Sequence, residues 1–262
     1  METADISYTS MALLYGLLVI PVAVALLLRL GTVKNILVSV LRMTGQMALV
    51  GLYLDYLFRL NHPLINLGWV LLIITIANLT IQRNAGLRTA RMFLVSLAGV
   101  TAGTAFVIAV FVFLSIQPRP LYDARYLIPI TGMVVGNCMR ANVISLERFF
   151  SSVRKNEKEF LTYLLLGASL GEAARPYIAE SVRPAMAPIL STMATLGLVS
   201  LPGMMTGQIL GGSPPIVAIK YQVAVMIAIF TALAISTSLN LLLGLKVGFD
   251  EYQMLRKDLF RR

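Results

Sequence analysis

Apolar runs long enough to cross a bilayer recur along the whole chain, separated by short polar stretches. A helix needs about 20 such residues to span a hydrocarbon core of about 30 Å. The pattern predicts spans over Ser10–Leu28, Met43–Leu57, Leu64–Thr80 and Met92–Ile116, a fifth from about Tyr126, and two more over Met186–Leu210 and Ile216–Leu243. Pro21 interrupts the first, and the amphipathic piece Asn35–Arg42 leads into the second. Asp55 and Arg59 are one helical turn apart and predict a local ion pair at the membrane edge. Trp69 is an interfacial candidate. The run Phe160–Leu170 is about half the length of a span and is flanked by charge, so residues of about 143–185 read as a helical excursion outside the bilayer. The expected fold class is all-α: one polytopic membrane domain over residues 1–262, a bundle of about seven transmembrane helices.

One stretch breaks the apolar pattern without leaving it. Val199–Pro215 contains Pro202, which removes a backbone donor and disfavours the α conformation at Leu201. Gly203, Gly207 and Gly211 recur every four residues and share a helix face, which admits close helix approach. Met204, Met205, Thr206 and Gln208 bring sulfur and hydrogen-bonding groups to the same depth. Two readings stay open: a kinked, tightly packed helix, or part of a transport pathway. Irregular backbone at membrane depth is tolerated where it is buried in protein or lines a cavity.

Charge sets the orientation. The formal net charge is +10, with only 13% charged residues and a mean hydropathy of +0.81. With the C-terminus inside, every Lys and Arg except Arg59, Arg119, Arg125 and Lys220 falls on the inner side. That is the asymmetry of the positive-inside rule, and it accounts for the charge without nucleic acid. The expected topology has the N-terminus outside and the C-terminus cytoplasmic. Met1–Asp5 is acidic and the first apolar run is long for a leader, so no signal peptide is expected.

Candidate chemistry is sparse. The only histidine, His62, falls in a turn, and Cys138 is the only cysteine, so no intramolecular disulfide forms. The sequence contains no G-x-x-x-x-G-K-[ST], no H-E-x-x-H and no CxxC. A Schiff-base role for Lys220 is weaker than simple snorkelling. The amides Gln46, Asn78, Asn137, Asn142, Gln208, Gln222 and Asn240 read as cross-links between helices. Met204, Met205, Cys138 and Met139 are metal-ligand candidates, since sulfur suits soft or borderline cations. No enzymatic activity is expected of the chain.

Gly171-Glu172-Ala173-Ala174, followed by Pro176, Pro184 and Pro188, looks like the coupling loop of ABC permeases, which seats on an ATPase subunit. The importer pattern has a glycine four residues beyond the last alanine, where this chain has Ile178. The run from Leu201 to Gly212, then Pro215, Ala218, Lys220, Tyr221 and Gln222, resembles the signature of the FetB-type permeases. Ile128-Pro129, Gly132-Met133, Gly136-Asn137 and Leu166–Ser169 extend the likeness over nearly the whole chain. That family includes the membrane subunit of a bacterial iron exporter and plant permeases linked to aluminium tolerance.

The resemblance implies a homodimer of this chain with two separate ABC-type ATPase subunits, which hold ATP and Mg, in the bacterial inner membrane. It implies metal export, iron in the bacterial branch, and coupling through Ser169, Glu172, Ala173, Ala174, Arg175, Tyr177 and Glu180. The chain itself is expected to hold no cofactor. Two other readings remain: an ion-gradient-driven carrier, and a structural or receptor-like seven-helix protein. No convincing inverted repeat supports the carrier.

Overall fold

A computed structural model describes residues 6–260. Ten α-helices follow in order among them: α1 (Tyr8–Gly16), α2 (Val19–Leu27), α3 (Val33–Leu60), α4 (Pro63–Asn84), α5 (Ala90–Val110), α6 (Ala124–Lys155), α7 (Glu157–Leu165), α8 (Leu170–Thr195), α9 (Gly203–Leu210) and α10 (Pro215–Gly248). No strand occurs among the described residues. Six helices are long and apolar enough to cross a membrane: α1 with α2, α3, α4, α5 with its π-helical extension to Ile116, α6 and α10. The chain is an all-α, multi-pass membrane protein.

Local chemistry explains the interruptions. Pro21 offers no N–H to the carbonyl of Leu17, and the chain there makes a tighter bond from Ile20 N to Leu17 O, 3.1 Å, which divides α1 from α2. The α3–α4 turn closes on Asn61 in the left-handed conformation, with Pro63 opening α4 where its missing donor costs nothing. Asp55 and Arg59 form the expected ion pair at 3.0 Å. Trp69 packs on Tyr53 with ring centroids 4.4 Å apart.

The expected sixth span over Met186–Leu210 is not one helix. Helix α8 ends at Thr195, residues Leu196–Pro202 are non-helical, and α9 resumes at Gly203. Gly197 adopts a φ of +82°, open to glycine at little cost, and its N–H bonds Ser200 O at 3.0 Å. Pro202 then holds the chain extended at the start of α9. Met193, Leu196 and Met204 pack against one apolar cluster with Val225, Met226 and Ile229 of α10, so both pieces lie along the same neighbour. A broken helix stands where a single span was expected.

The excursion expected over about 143–185 opens on the same helix as the fifth span: α6 continues unbroken to Lys155. Arg140, grouped with the inner basic loop on sequence alone, lies within that helix. The excursion proper is the far end of α6, then α7 and the beginning of α8.

Helix α5 lies against α10 at close range. A Cβ on Gly103 would come 2.7 Å from Ala232 O and 3.2 Å from Ser236 Cβ, and one on Gly99 would collide with the Asn240 amide. The glycine pair that brings two helices together is therefore Gly99-x-x-x-Gly103. By contrast, a Cβ at Gly203 or Gly207 would meet nothing, and at Gly211 only carbonyls of its own helix. Within one chain these three glycines do not pack on a neighbour.

The end of the bundle carrying Arg83, Arg91, Lys155 and Lys246 is sealed by the tail. Leu259 and Phe249 are buried in one apolar cluster with Leu87, Phe150, Phe160, Ala173, Ala174 and Tyr177. Arg88 N donates to Leu259 O at 2.9 Å, and the Arg154 guanidinium lies 5.1 Å from the centre of the Phe260 ring.

Gly103→Ala should lower stability by about 1–3 kcal/mol, the usual cost of overpacking, because backbone stands in the way. Gly207→Ala should leave the single-chain fold at least as stable, since alanine favours helix by up to about 1 kcal/mol. Thermal unfolding of the two variants in detergent micelles separates them; equal losses would contradict the assigned helix contact.

Candidate coupling and transport site

The basic end holds the candidate coupling element. Ser169 caps α8: Glu172 N donates to Ser169 Oγ at 3.4 Å, while Glu172 Oε2 accepts from Ser169 N at 2.8 Å and from Ser169 Oγ at 2.7 Å. This capping box satisfies donors that a helix start leaves free. The same bonds hold the Glu172 carboxyl below the usual carboxylate range. The cap is in place above an ordinary carboxylate pKa of about 4.3 and is lost as pH falls through the lowered value.

The face of α8 then divides. Ala173, Ala174 and Tyr177 point into the core, where Tyr177 lies edge-on to Phe160, 6.0 Å between centroids. Burial pushes the Tyr177 hydroxyl up to about 12, with Glu159 adding to the effect. Arg175 is exposed, and Glu180 accepts from Ser152 Oγ on α6 at 3.0 Å. The candidate coupling residues thus split into an anchoring set (Ala173, Ala174, Tyr177) and a displayed set (Glu172, Arg175, Glu180). Beside them a groove of about 610 Å³ opens between α7, Ser169, Glu172 and Tyr252–Met254 of the tail. Leu165 and Tyr252 on its walls are more than four-fifths exposed. The tail's share was missed on sequence; Leu255, Leu259 and Phe260, apolar among charges, were the signal.

At membrane depth a polar cluster joins α6 to α10. Asn240 Nδ2 donates to Asn142 Oδ1 at 2.6 Å, and Asn142 Nδ2 donates to Ser236 Oγ at 3.0 Å and to Cys138 O at 2.8 Å. A second cluster joins α4 to α5: Ser96 donates to Asn78, and Gln82 Nε2 donates to Ser96 Oγ at 2.9 Å. The amides expected as cross-links are cross-links at Asn78, Asn142 and Asn240.

The sulfur candidates do not converge. Cys138 is fully buried in the apolar cluster between α6, α8 and α10, and Met204 packs against that cluster from α9. Met205 is buried, and Gln208 on the same helix keeps a buried carbonyl oxygen without a partner. Met139 faces elsewhere, into an apolar cavity of about 440 Å³ between α3, α4 and α6, beside Gly132 and Gly136. Among the described residues no three His, Cys, Asp or Glu side chains come together to hold a metal ion.

A third cavity was not foreseen. Asn137, Arg140, Ala141 and Ile144 of α6 face Ala185, Pro188, Ile189 and Thr192 of α8 across a cleft of about 170 Å³, with Leu233 of α10 at its base.

The family model described as "Uncharacterised protein family (UPF0014)" matches residues 8–249. The chain belongs to the UPF0014 family. It is 33% identical over 238 residues to the "Probable iron export permease protein FetB" of Escherichia coli, covering 90% of each chain. It is 30% identical to the "UPF0014 membrane protein YjkA" of Bacillus subtilis, over 96% of this chain and 99% of that one. It is also 30% identical to "Protein ALUMINUM SENSITIVE 3" of Arabidopsis thaliana, over 76% of this chain and 71% of that one. No solved structure matches. The likeness to FetB-type permeases read from residues 201–222 therefore extends through this UPF0014 chain.

Asn142→Ala would leave Asn240 and Ser236 without their partner between α6 and α10. It should cost about 1–2 kcal/mol, as interhelical hydrogen bonds in membranes do. Unfolding in detergent followed by circular dichroism checks this, and no loss relative to the parent chain would remove the cross-link from the account.

Proposed function

We propose that this chain is the membrane permease subunit of an ABC transporter that exports a metal, iron being the named cargo of the FetB relative. A separate ATPase subunit binds ATP and Mg and supplies the energy. Two copies of the chain form the transmembrane unit in a bacterial inner membrane, with N-termini outside and C-termini in the cytoplasm, an arrangement in which the broken pair α8–α9 crosses as a seventh span beside the six long helices.

The observation that carries this reading is the continuity of α8. One helix starts at the capping box of the excursion and ends at Thr195, next to the irregular segment Leu196–Pro202. On the way it forms one wall of the cleft opposite Asn137 and Arg140. Force applied at Ser169–Arg175 is delivered at membrane depth without passing through a loop. Pro176, Pro184 and Pro188 each remove a backbone hydrogen bond, so α8 can bend at defined points. The ATPase would seat on the displayed residues Glu172 and Arg175, while Ala173, Ala174 and Tyr177 carry its movement into the bundle. Gly203, Gly207 and Gly211, open within one chain, are free to meet the second copy.

The capping box sharpens the coupling test. Glutamine keeps the cap at this helix position and lysine breaks it. With the chain co-expressed beside its ATPase, Glu172→Gln should co-purify with the ATPase as the parent does. Glu172→Lys should lose association or uncouple hydrolysis from flux. Unchanged association and unchanged nucleotide-driven flux in the lysine variant would remove the coupling role.

Orientation is open to labelling. With Cys138 buried, a cysteine placed at Ser7 should react with an impermeant maleimide in intact cells. Reaction only after permeabilisation would reverse the topology.

A further inference from the structure

Arg140 is an exposed cation on α6 that has no partner among the described residues, and residue counting places it at membrane depth. Its level follows from contacts. Asn142 is joined to Asn240, and Gly99 lies against the same Asn240. Counting along α10 from Asn240 to Lys246, and along α5 from Gly99 to Arg91, at 1.5 Å per residue, Arg140 lies about 12–15 Å from the basic end. That is near the middle of a hydrocarbon core of about 30 Å. The other end of α6, at Arg125, is about 22 Å away.

Among the described residues the Arg140 guanidinium makes no ion pair and no hydrogen bond; the one ion pair is Asp55–Arg59. The walls of its cleft supply Asn137 and Thr192 but no carboxylate. The nearest acidic residue on its own helix, Glu147, is two turns away toward the basic end and faces a different pocket, beside Ser151 and Arg154. Charged side chains inside a membrane are costly, face cavities and pair with an opposite charge. This cleft offers the cavity and withholds the partner. Thr192 Oγ1 already donates to Pro188 O at 2.9 Å, and Asn137 Nδ2 to Met133 O at 2.8 Å, so the walls are ordered before any ligand arrives.

We infer that the Arg140 cleft is a subsite for an anionic group of the transported molecule, a carboxylate or phosphate borne by an organic anion or by the ligand shell of a metal complex. The inference rests on the transport reading above and deepens it by naming the substrate class. A guanidinium repels a bare metal cation and offers a planar fork of donors to carboxylate or phosphate oxygens. Asn137 keeps a second amide N–H for the same group. The absence of a clustered His, Cys, Asp or Glu set among the described residues fits a cargo that brings its own ligands.

The full-length chain in nanodiscs is titrated by calorimetry at fixed ionic strength with sodium citrate, sodium pyrophosphate, ferric citrate and ferrous sulfate. At least one anionic probe should bind saturably. Arg140→Gln should weaken that binding tenfold or more, and Arg140→Lys, which keeps the charge but loses the planar fork, should fall between the parent and the glutamine variant. Thr192→Glu, which places a carboxylate on the exposed facing wall, should also abolish anion binding while the protein stays folded by gel filtration. Ferric citrate binding more tightly than citrate assigns the anion to a metal complex; equal binding assigns it to a free organic anion. Saturable binding of ferrous ion alone, with no anionic probe binding, would overturn the inference, as would anion binding indifferent to Arg140→Gln. Failure of the transport reading has a separate signature: no nucleotide-driven flux of any probe in vesicles containing the parent chain with its ATPase, whether or not the anions bind.

Discussion

In a bilayer a polar group has no water to fall back on, so each one must find its partner inside the protein. The contact between α5, α6 and α10 is where this constraint is met. Asn240 donates to Asn142, Asn142 donates to Ser236, and Gly99 and Gly103 bring α5 against that same stretch of α10. A side chain larger than hydrogen at either glycine would push α5 away and open the amide cluster. Hydrophobic force cannot substitute, because lipid tails are as apolar as the helix surfaces. The core is therefore held by fit and by amide hydrogen bonds, and the apolar clusters form around them.

The same constraint explains what lies outside the core. Helices α1 to α3 bury almost nothing: Ala25 and Leu57 are their buried residues. Their leucines face outward, where lipid or a second copy of the chain is an adequate neighbour. Helix α8 is different. Its charged beginning is bound to the basic end through Ala173, Ala174 and Tyr177, and its apolar end faces a cleft. Like α6, it belongs to both environments.

Much of this was legible in the residues. Span positions follow from apolar length, and the six long helices fall where the pattern puts them, because hydrocarbon thickness sets a hard minimum. Although one kinked span was expected where the helix breaks, irregular backbone near Pro202 was legible, since proline chemistry is local. Its partner Gly197 was not, because a glycine is informative only once its φ is known. The glycine spacing at 203–211 looked like a packing face, yet within one chain the packing falls to Gly99 and Gly103. Spacing defines a face, and the neighbour that fills it is a tertiary fact. Likewise the tail is rich in charge, and only its packing shows that Leu255, Leu259 and Phe260 close the basic end.

Arg140 shows that a charge count carries no depth. In sequence it follows an apolar run and precedes a charged region, so it joins the inner basic residues. In the helix it stays at the depth of Asn142, because α6 continues for about 20 Å beyond that level to Lys155. A helix that overshoots the membrane carries its charges at two levels, one beyond the bilayer and one within its thickness. The solvated ones, Arg148, Arg154 and Lys155, can serve orientation and partner contact at little cost. Arg140, exposed on the cleft wall of the single chain but placed at membrane depth by its position along α6, makes no ion pair among the described residues, and a charge at that depth is costly unless an opposite charge arrives. Among the described residues no carboxylate lines that cleft, so under the proposed reading the counter-charge comes with the cargo, which makes Arg140 the position where the identity of the cargo is most open to physical test.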